Sequence, residues 1–273
     1  MLRFTLLALI PVFFLAACAS HSSGSAKSAS PDIRTREVTY QIDGKPFRGV
    51  MAWDQSASGK RPGVLVCPEW WGNNDYPASR AKQLAELGYV AFAADMYGAG
   101  KVTADPKQAG AWAGEVYKTP GLMRQRIVAG LDVLRADPHV DVKRLAAIGY
   151  CFGGSVALEA ARSGAAGKDL KAIVCFHTST LTTENAADNA NIKGKVLVCH
   201  GDADTFVQPD MIPNFEQQMK VAGVRYEVKR YPGAVHAFTN PGAGAFNLPG
   251  VQYDKNADEQ SWADMKALFA EAL

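Results

Sequence analysis

Long apolar runs are almost absent from this chain. The one extended stretch, Leu6 to Leu15, is too short for a comfortable membrane span. No Cys-X-X-Cys pair occurs, and neither the 5 cysteines nor the 5 histidines fall at metal-ligand spacing. A structural zinc site, a dithiol redox centre and a bound metal are therefore not expected, and no motif implies an organic cofactor. An excess of either charge is also missing. The 29 Lys and Arg against 27 Asp and Glu leave a net charge near zero, with no basic stripe, so no nucleic-acid partner is expected. There is no internal repeat.

What is present begins with a targeting pattern. Arg3 supplies a positive start, the apolar run follows, and Leu15-Ala16-Ala17-Cys18 closes it. This resembles a bacterial lipoprotein signal, with cleavage before Cys18 and lipidation of that residue; ordinary cleavage near Ala19 is the alternative. Ala19 to Ser30 is almost entirely Ser, Ala and Gly, a composition suited to a flexible link. The organisation expected is a signal peptide over 1–17, a tether over 18–32 and one folded domain over 33–273. No acid directly follows Cys18, so a lipid-anchored protein facing the periplasm, on the outer membrane, is expected, with a soluble periplasmic protein as second choice.

Along the domain, Asp43-Gly44 reads as a hairpin turn between strands at Arg36–Gln41 and Phe47–Trp53. Buried strands are predicted at Gly63–Cys67, Val90–Ala94, Arg144–Ile148, before Cys175 and before Cys199, with another over Arg225–Tyr231. Helices are predicted at 78–87, 105–118, 155–162, 211–221 and 259–272, and along the stripe Met123, Ile127, Leu131, Leu134. Continuous apolar strands alternating with helices predict an α/β fold, a mostly parallel central sheet with helices on both faces. Cys67, Cys175 and Cys199 end apolar runs and read as small buried hydrophobes.

Cys151 stands in Gly149-Tyr150-Cys151-Phe152-Gly153-Gly154, between a predicted strand and a predicted helix. Strand, Gly-X-nucleophile-X-Gly, helix is the nucleophile elbow of the α/β-hydrolases, here with sulfur at its centre. A helix N-terminus behind the sulfur favours its thiolate. Such a nucleophile needs a base, and the base an orienting acid, in the order nucleophile, acid, histidine. Gly201-Asp202-Ala203-Asp204 follows a buried strand, and His236 lies in the loop after the next one. Asp204 is chosen over Asp202 because it sits further from the strand, towards the histidine loop. The oxyanion hole is expected from the backbone N–H groups of Phe152 and Trp70, and Trp71 and Tyr97 are expected to wall the substrate pocket. His177 and His200 read as partners of loop backbone.

At these residues the chain resembles the dienelactone hydrolase family, from about Arg36 to Leu273. The resemblance rests on Pro-Glu-Trp-Trp-Gly at 68–72, Ala-Asp-Met-Tyr-Gly at 94–98, Gly-Tyr-Cys-Phe-Gly-Gly at 149–154, Gly-Asp-Ala-Asp at 201–204 and His-Ala-Phe at 236–238. It implies a Cys151–Asp204–His236 triad and a role for Glu69, whose counterpart in the family pairs with the resting thiol. Two departures matter: where family members grip a substrate carboxylate with arginines, this chain has Gly98 and Asn240. A neutral or differently shaped ester or lactone is the expected substrate, cleaved by a monomer through a cysteinyl acyl-enzyme. A non-catalytic binding lipoprotein on the same fold and an acyltransferase are the alternatives.

Overall fold

The computed structural model describes residues 30–183 and 185–273. The segments expected as signal peptide, lipidation site at Cys18 and tether, as far as residue 29, lie outside the described residues. The chain enters through a hairpin of β1 (Ile33–Ile42) and β2 (Lys45–Asp54). Asp43 and Gly44 both take positive φ, 49° and 71°, as a two-residue turn matching the strand twist requires.

The remaining elements alternate. β3 (Arg61–Cys67), α1 (Asp75–Glu86), β4 (Val90–Ala93), α2 (Pro106–Lys118) and α3 (Leu122–Ala136) lead to β5 (Val140–Tyr150) and α4 (Phe152–Arg162). β6 (Leu170–Phe176), β7 (Lys195–Gly201), α5 (Met211–Val221), β8 (Tyr226–Tyr231) and α6 (Lys255–Ala272) complete the fold. Local chemistry sets several of these starts. The Asn74 side chain accepts the Tyr76 N–H at the head of α1, and Asp105 does the same for Lys107 ahead of Pro106. α6 starts a turn earlier than its apolar pattern predicts because Asp254 caps Ala257. β5 also starts early, since Val140 and Asp141 pair with Arg61 and Pro62.

The eight strands lie in the order β1-β2-β4-β3-β5-β6-β7-β8. β1, β2 and β4 pair antiparallel; β4, β3 and all strands beyond run parallel. The period of two sorts each central strand between the faces. In β3, Leu65 and Cys67 pack into the layer with α2, α3, α4 and α5, whereas Val64 and Val66 pack against α1 and α6. Cys175 and Cys199 likewise face opposite layers, and both are free thiols. The candidate catalytic segments leave the sheet at the carboxyl ends of β3, β5, β6, β7 and β8, where open α/β sheets place their ligands.

Candidate active site

Cys151 occupies the single residue between β5 and α4, at φ 55° and ψ −118°. Two close backbone approaches hold that strained turn. A Cβ on Gly149 would stand 1.8 Å from the Gly153 carbonyl oxygen. One on Gly153 would stand 2.2 Å from the Cys67 carbonyl oxygen and 2.6 Å from that of Pro68. Only glycine lets the start of α4 rest against the end of β3. Phe152 opens α4, so its N–H has no intrahelical acceptor.

His236 follows β8 in a loop clamped by a second segment. Its N–H donates to the Gly250 carbonyl, and its own carbonyl accepts from Gln252, each at 3.1 Å. Its Nδ1 lies 2.8 Å from Asp204 Oδ2. Asp204 Oδ1 accepts the Phe206 N–H at 2.9 Å, an Asx turn that aims the carboxylate at the histidine. Asp202 turns away and pairs with Arg230 at 2.8 Å on the surface. Burial alone would lower the pKa of His236. The charge on Cys151 and the hydrogen bonds to Asp204 and Cys151 overcome this and push it up to about 10.

A cavity of about 120 Å³ joins these groups. Cys151, His236 and Glu69 meet in it, and Trp70, Trp71, Phe206, Leu248 and Val251 supply most of the wall, with Ser179 and Ala237. A larger groove of about 680 Å³ runs past Tyr117 and Arg124, but Cys151, Asp204 and His236 do not line it. Its Arg124 is committed to Glu159 and Asp188.

Glu69 is buried and accepts a 2.7 Å hydrogen bond from Asn240 Nδ2. Burial pushes its carboxyl up to about 7, against the lowering effects of Asn240, His236 and Arg80. Asn240 Oδ1 accepts the Gly242 N–H at 2.9 Å, so both ends of its amide are engaged.

Trp70 and Trp71 both reach the cavity, their rings edge to face at 5.0 Å, and Phe246 stacks on Trp71 at 3.9 Å. Tyr97 does not wall the cavity. Tyr97 is 4 % exposed, and its ring stacks behind Phe152 at 5.9 Å, since the loop after β4 folds it into the helical layer. His177 bonds loop backbone, its Nδ1 accepting the Cys151 N–H at 3.1 Å. Ser179, Phe206, Leu248, Val251 and the partnership of Asn240 with Glu69 escaped the sequence reading. Only Phe206 carried a signal, two residues beyond an aspartate in Asx-turn position.

The model of the dienelactone hydrolase family matches residues 47–273. A protein of Aquifex aeolicus named "Putative carboxymethylenebutenolidase" is 30 % identical over 208 residues, 74 % of this chain and 86 % of that protein. The solved structure titled m3DLH is 41 % identical, with a TM-score of 0.84 over 88 % of this chain and 99 % of that one. A crystal structure of a dienelactone hydrolase-like promiscuous phosphotriesterase from metagenomic libraries is 39 % identical, with a TM-score of 0.83 over 88 % and 98 % of the two chains.

Proposed function

Because the chain belongs to the dienelactone hydrolase family, hydrolases of esters and lactones, we propose that it works through a Cys151–His236–Asp204 triad and a cysteinyl acyl-enzyme. The observation that carries this reading is the 2.8 Å contact of His236 Nδ1 with Asp204, in a cavity shared with a cysteine at a strained elbow. Held protonated beside Cys151, His236 favours the thiolate. The sulfur attacks the substrate carbonyl, and the N–H groups of Phe152 and Trp70 receive the developing oxyanion. His236 gives its proton to the leaving oxygen, then takes one from the water that releases the acid. Asp204 holds the imidazole in the tautomer this exchange requires.

The substrate we infer is neutral around its acyl group. Neither lysine nor arginine lines the cavity, the carboxyl in its wall belongs to Glu69, and both ends of the Asn240 amide are committed. A substrate carboxylate would enter there without a bidentate partner. Brief reaction with p-nitrophenyl butyrate, acid quenching and peptide mass analysis should find the butyryl group on Cys151. An acyl group on another residue, or full turnover by Cys151→Ala, would refute the triad. Matched neutral and anionic esters then test the substrate class, and a preference for the anion would exclude it. The motif at 15–18 supports lipid attachment at Cys18 and a periplasm-facing location; palmitate labelling lost in Cys18→Ala is the check.

A further inference from the structure

A second buried histidine is built into the joint between the nucleophile and its base. His177 follows β6 with φ 41°, a conformation costly for a residue with a Cβ. Three of the five non-glycine residues with positive φ among those described are Cys151, His177 and Ala237, which are the elbow residue, this histidine and the neighbour of His236. The side chain of His177 is fully buried, and both ring nitrogens are used. Nδ1 accepts the backbone N–H of Cys151 at 3.1 Å, alongside the Phe176 carbonyl at 3.0 Å. An acceptor at Nδ1 leaves the proton of the neutral ring on Nε2, which lies 2.7 Å from Thr239 Oγ1. Thr239 is three residues beyond His236 on the same loop.

The chain of contacts continues to α1. Thr239 Oγ1 lies 2.6 Å from the Tyr76 hydroxyl, and Arg80 donates to Tyr76, to the Thr239 carbonyl and to Asp258. The His177 ring also packs edge to face against His236 at 5.3 Å and Phe238 at 5.2 Å. One imidazole thus touches the backbone of the nucleophile and the loop of the base, and its far end is braced by a buried ion pair.

We infer that His177, with Thr239, is a positioning residue that fixes the elbow of Cys151 against the His236 loop and so sets the approach of sulfur to imidazole. It contacts neither substrate nor sulfur in this role and acts through the Cys151 amide. The assignment rests on Cys151 being the nucleophile. Neutrality belongs to the same design, since a second cation 5.3 Å from the His236 ring would oppose the imidazolium. Burial, with His236 and Arg80 nearby, holds the pKa of His177 well below its usual value.

Three variants of the full chain separate the two halves of the bridge. His177→Leu removes both hydrogen bonds. His177→Asn keeps an acceptor near the Nδ1 position and tolerates positive φ, losing only Thr239. Thr239→Val loses the same half from the other side, together with the contact to Tyr76. The readouts are kcat and KM on p-nitrophenyl acetate, the rate of Cys151 alkylation by iodoacetamide at pH 7, and the unfolding midpoint. His177→Leu should lower kcat by about 10-fold or more with KM within about twofold, and slow alkylation similarly. His177→Asn and Thr239→Val should both show smaller losses of kcat and alkylation, and Thr239→Val should lower neither further on top of His177→Leu, though loss of the Tyr76 contact lowers its unfolding midpoint. Unchanged kcat and alkylation in folded His177→Leu, or an Asn variant no better than Leu, would overturn the assignment. If His177→Leu fails to fold, wild-type kcat and alkylation in Thr239→Val overturn it. Alkylation distinguishes this failure from failure of the triad, because a Cys151 that reacts no faster than a free thiol in the wild type refutes the nucleophile itself.

Discussion

His177 and His236 stand with their rings 5.3 Å apart, both buried, yet one is neutral and the other protonated. Burial is the largest influence on each, and in each it opposes the proton. The difference lies in what surrounds them. His236 meets Asp204 and the charge on Cys151, which together push it up to about 10. His177 meets a backbone N–H and a threonine hydroxyl, and the positive charges of His236 and Arg80 lower it further. Depth does not decide the charge of a buried imidazole; the donors and acceptors facing its two nitrogens do.

The largest test of that contrast is Cys151→Ala. Turnover should fall by at least about 1000-fold. With the anion gone, the His236 pKa should also drop from about 10 towards ordinary imidazole values, read by NMR titration of the ring. A His236 that still titrates near 10 would show that Asp204 alone holds the charge. Next in size is Asp204→Asn, expected to lower kcat by about 100- to 10,000-fold through loss of the tautomer, read by steady-state kinetics on p-nitrophenyl acetate.

The third effect is on stability. Burial raises the Glu69 carboxyl from its usual 4.5 to about 7, so the unfolded chain releases this proton at lower pH than the folded one does. Stability should therefore fall as pH rises from about 4.5 to about 7, and the penalty should persist above that. Glu69→Gln has no carboxyl to ionise and escapes this penalty. In urea titrations it should gain up to about 3 kcal/mol on the wild type between pH 4.5 and pH 8. A constant difference across that range would contradict the shift. The smallest effect is expected of Asp202→Asn, which breaks only a surface pair with Arg230: kcat within about twofold and stability within about 0.5 kcal/mol.

Much of this was legible in the residues. The elbow, the acid after β7 and the histidine after β8 are local patterns of chain and turn, and each occupies the position its motif implies. The parallel sheet followed from apolar strands alternating with helices. The cavity wall was far less legible, because Leu248 and Val251 arrive on a loop whose placement depends on backbone bonds to His236. Tyr97 was misplaced for a related reason: its motif gave its neighbours along the chain but not that its ring packs behind Phe152. Asn240 shows the limit most clearly. In the sequence it registered as an absent arginine, while in the structure its amide is the hydrogen-bond partner of Glu69.

The contact at Gly153 separates the frame of the site from its walls. The start of α4 and the segment leaving β3 meet main chain to main chain, with no room for one added carbon. Their separation is therefore independent of the identity of the surrounding side chains. Exchanging Trp71, Phe206, Leu248 or Val251 would then reshape the cavity wall without moving the frame around Cys151. Backbone holds the elbow, and side chains alone shape the space in front of it.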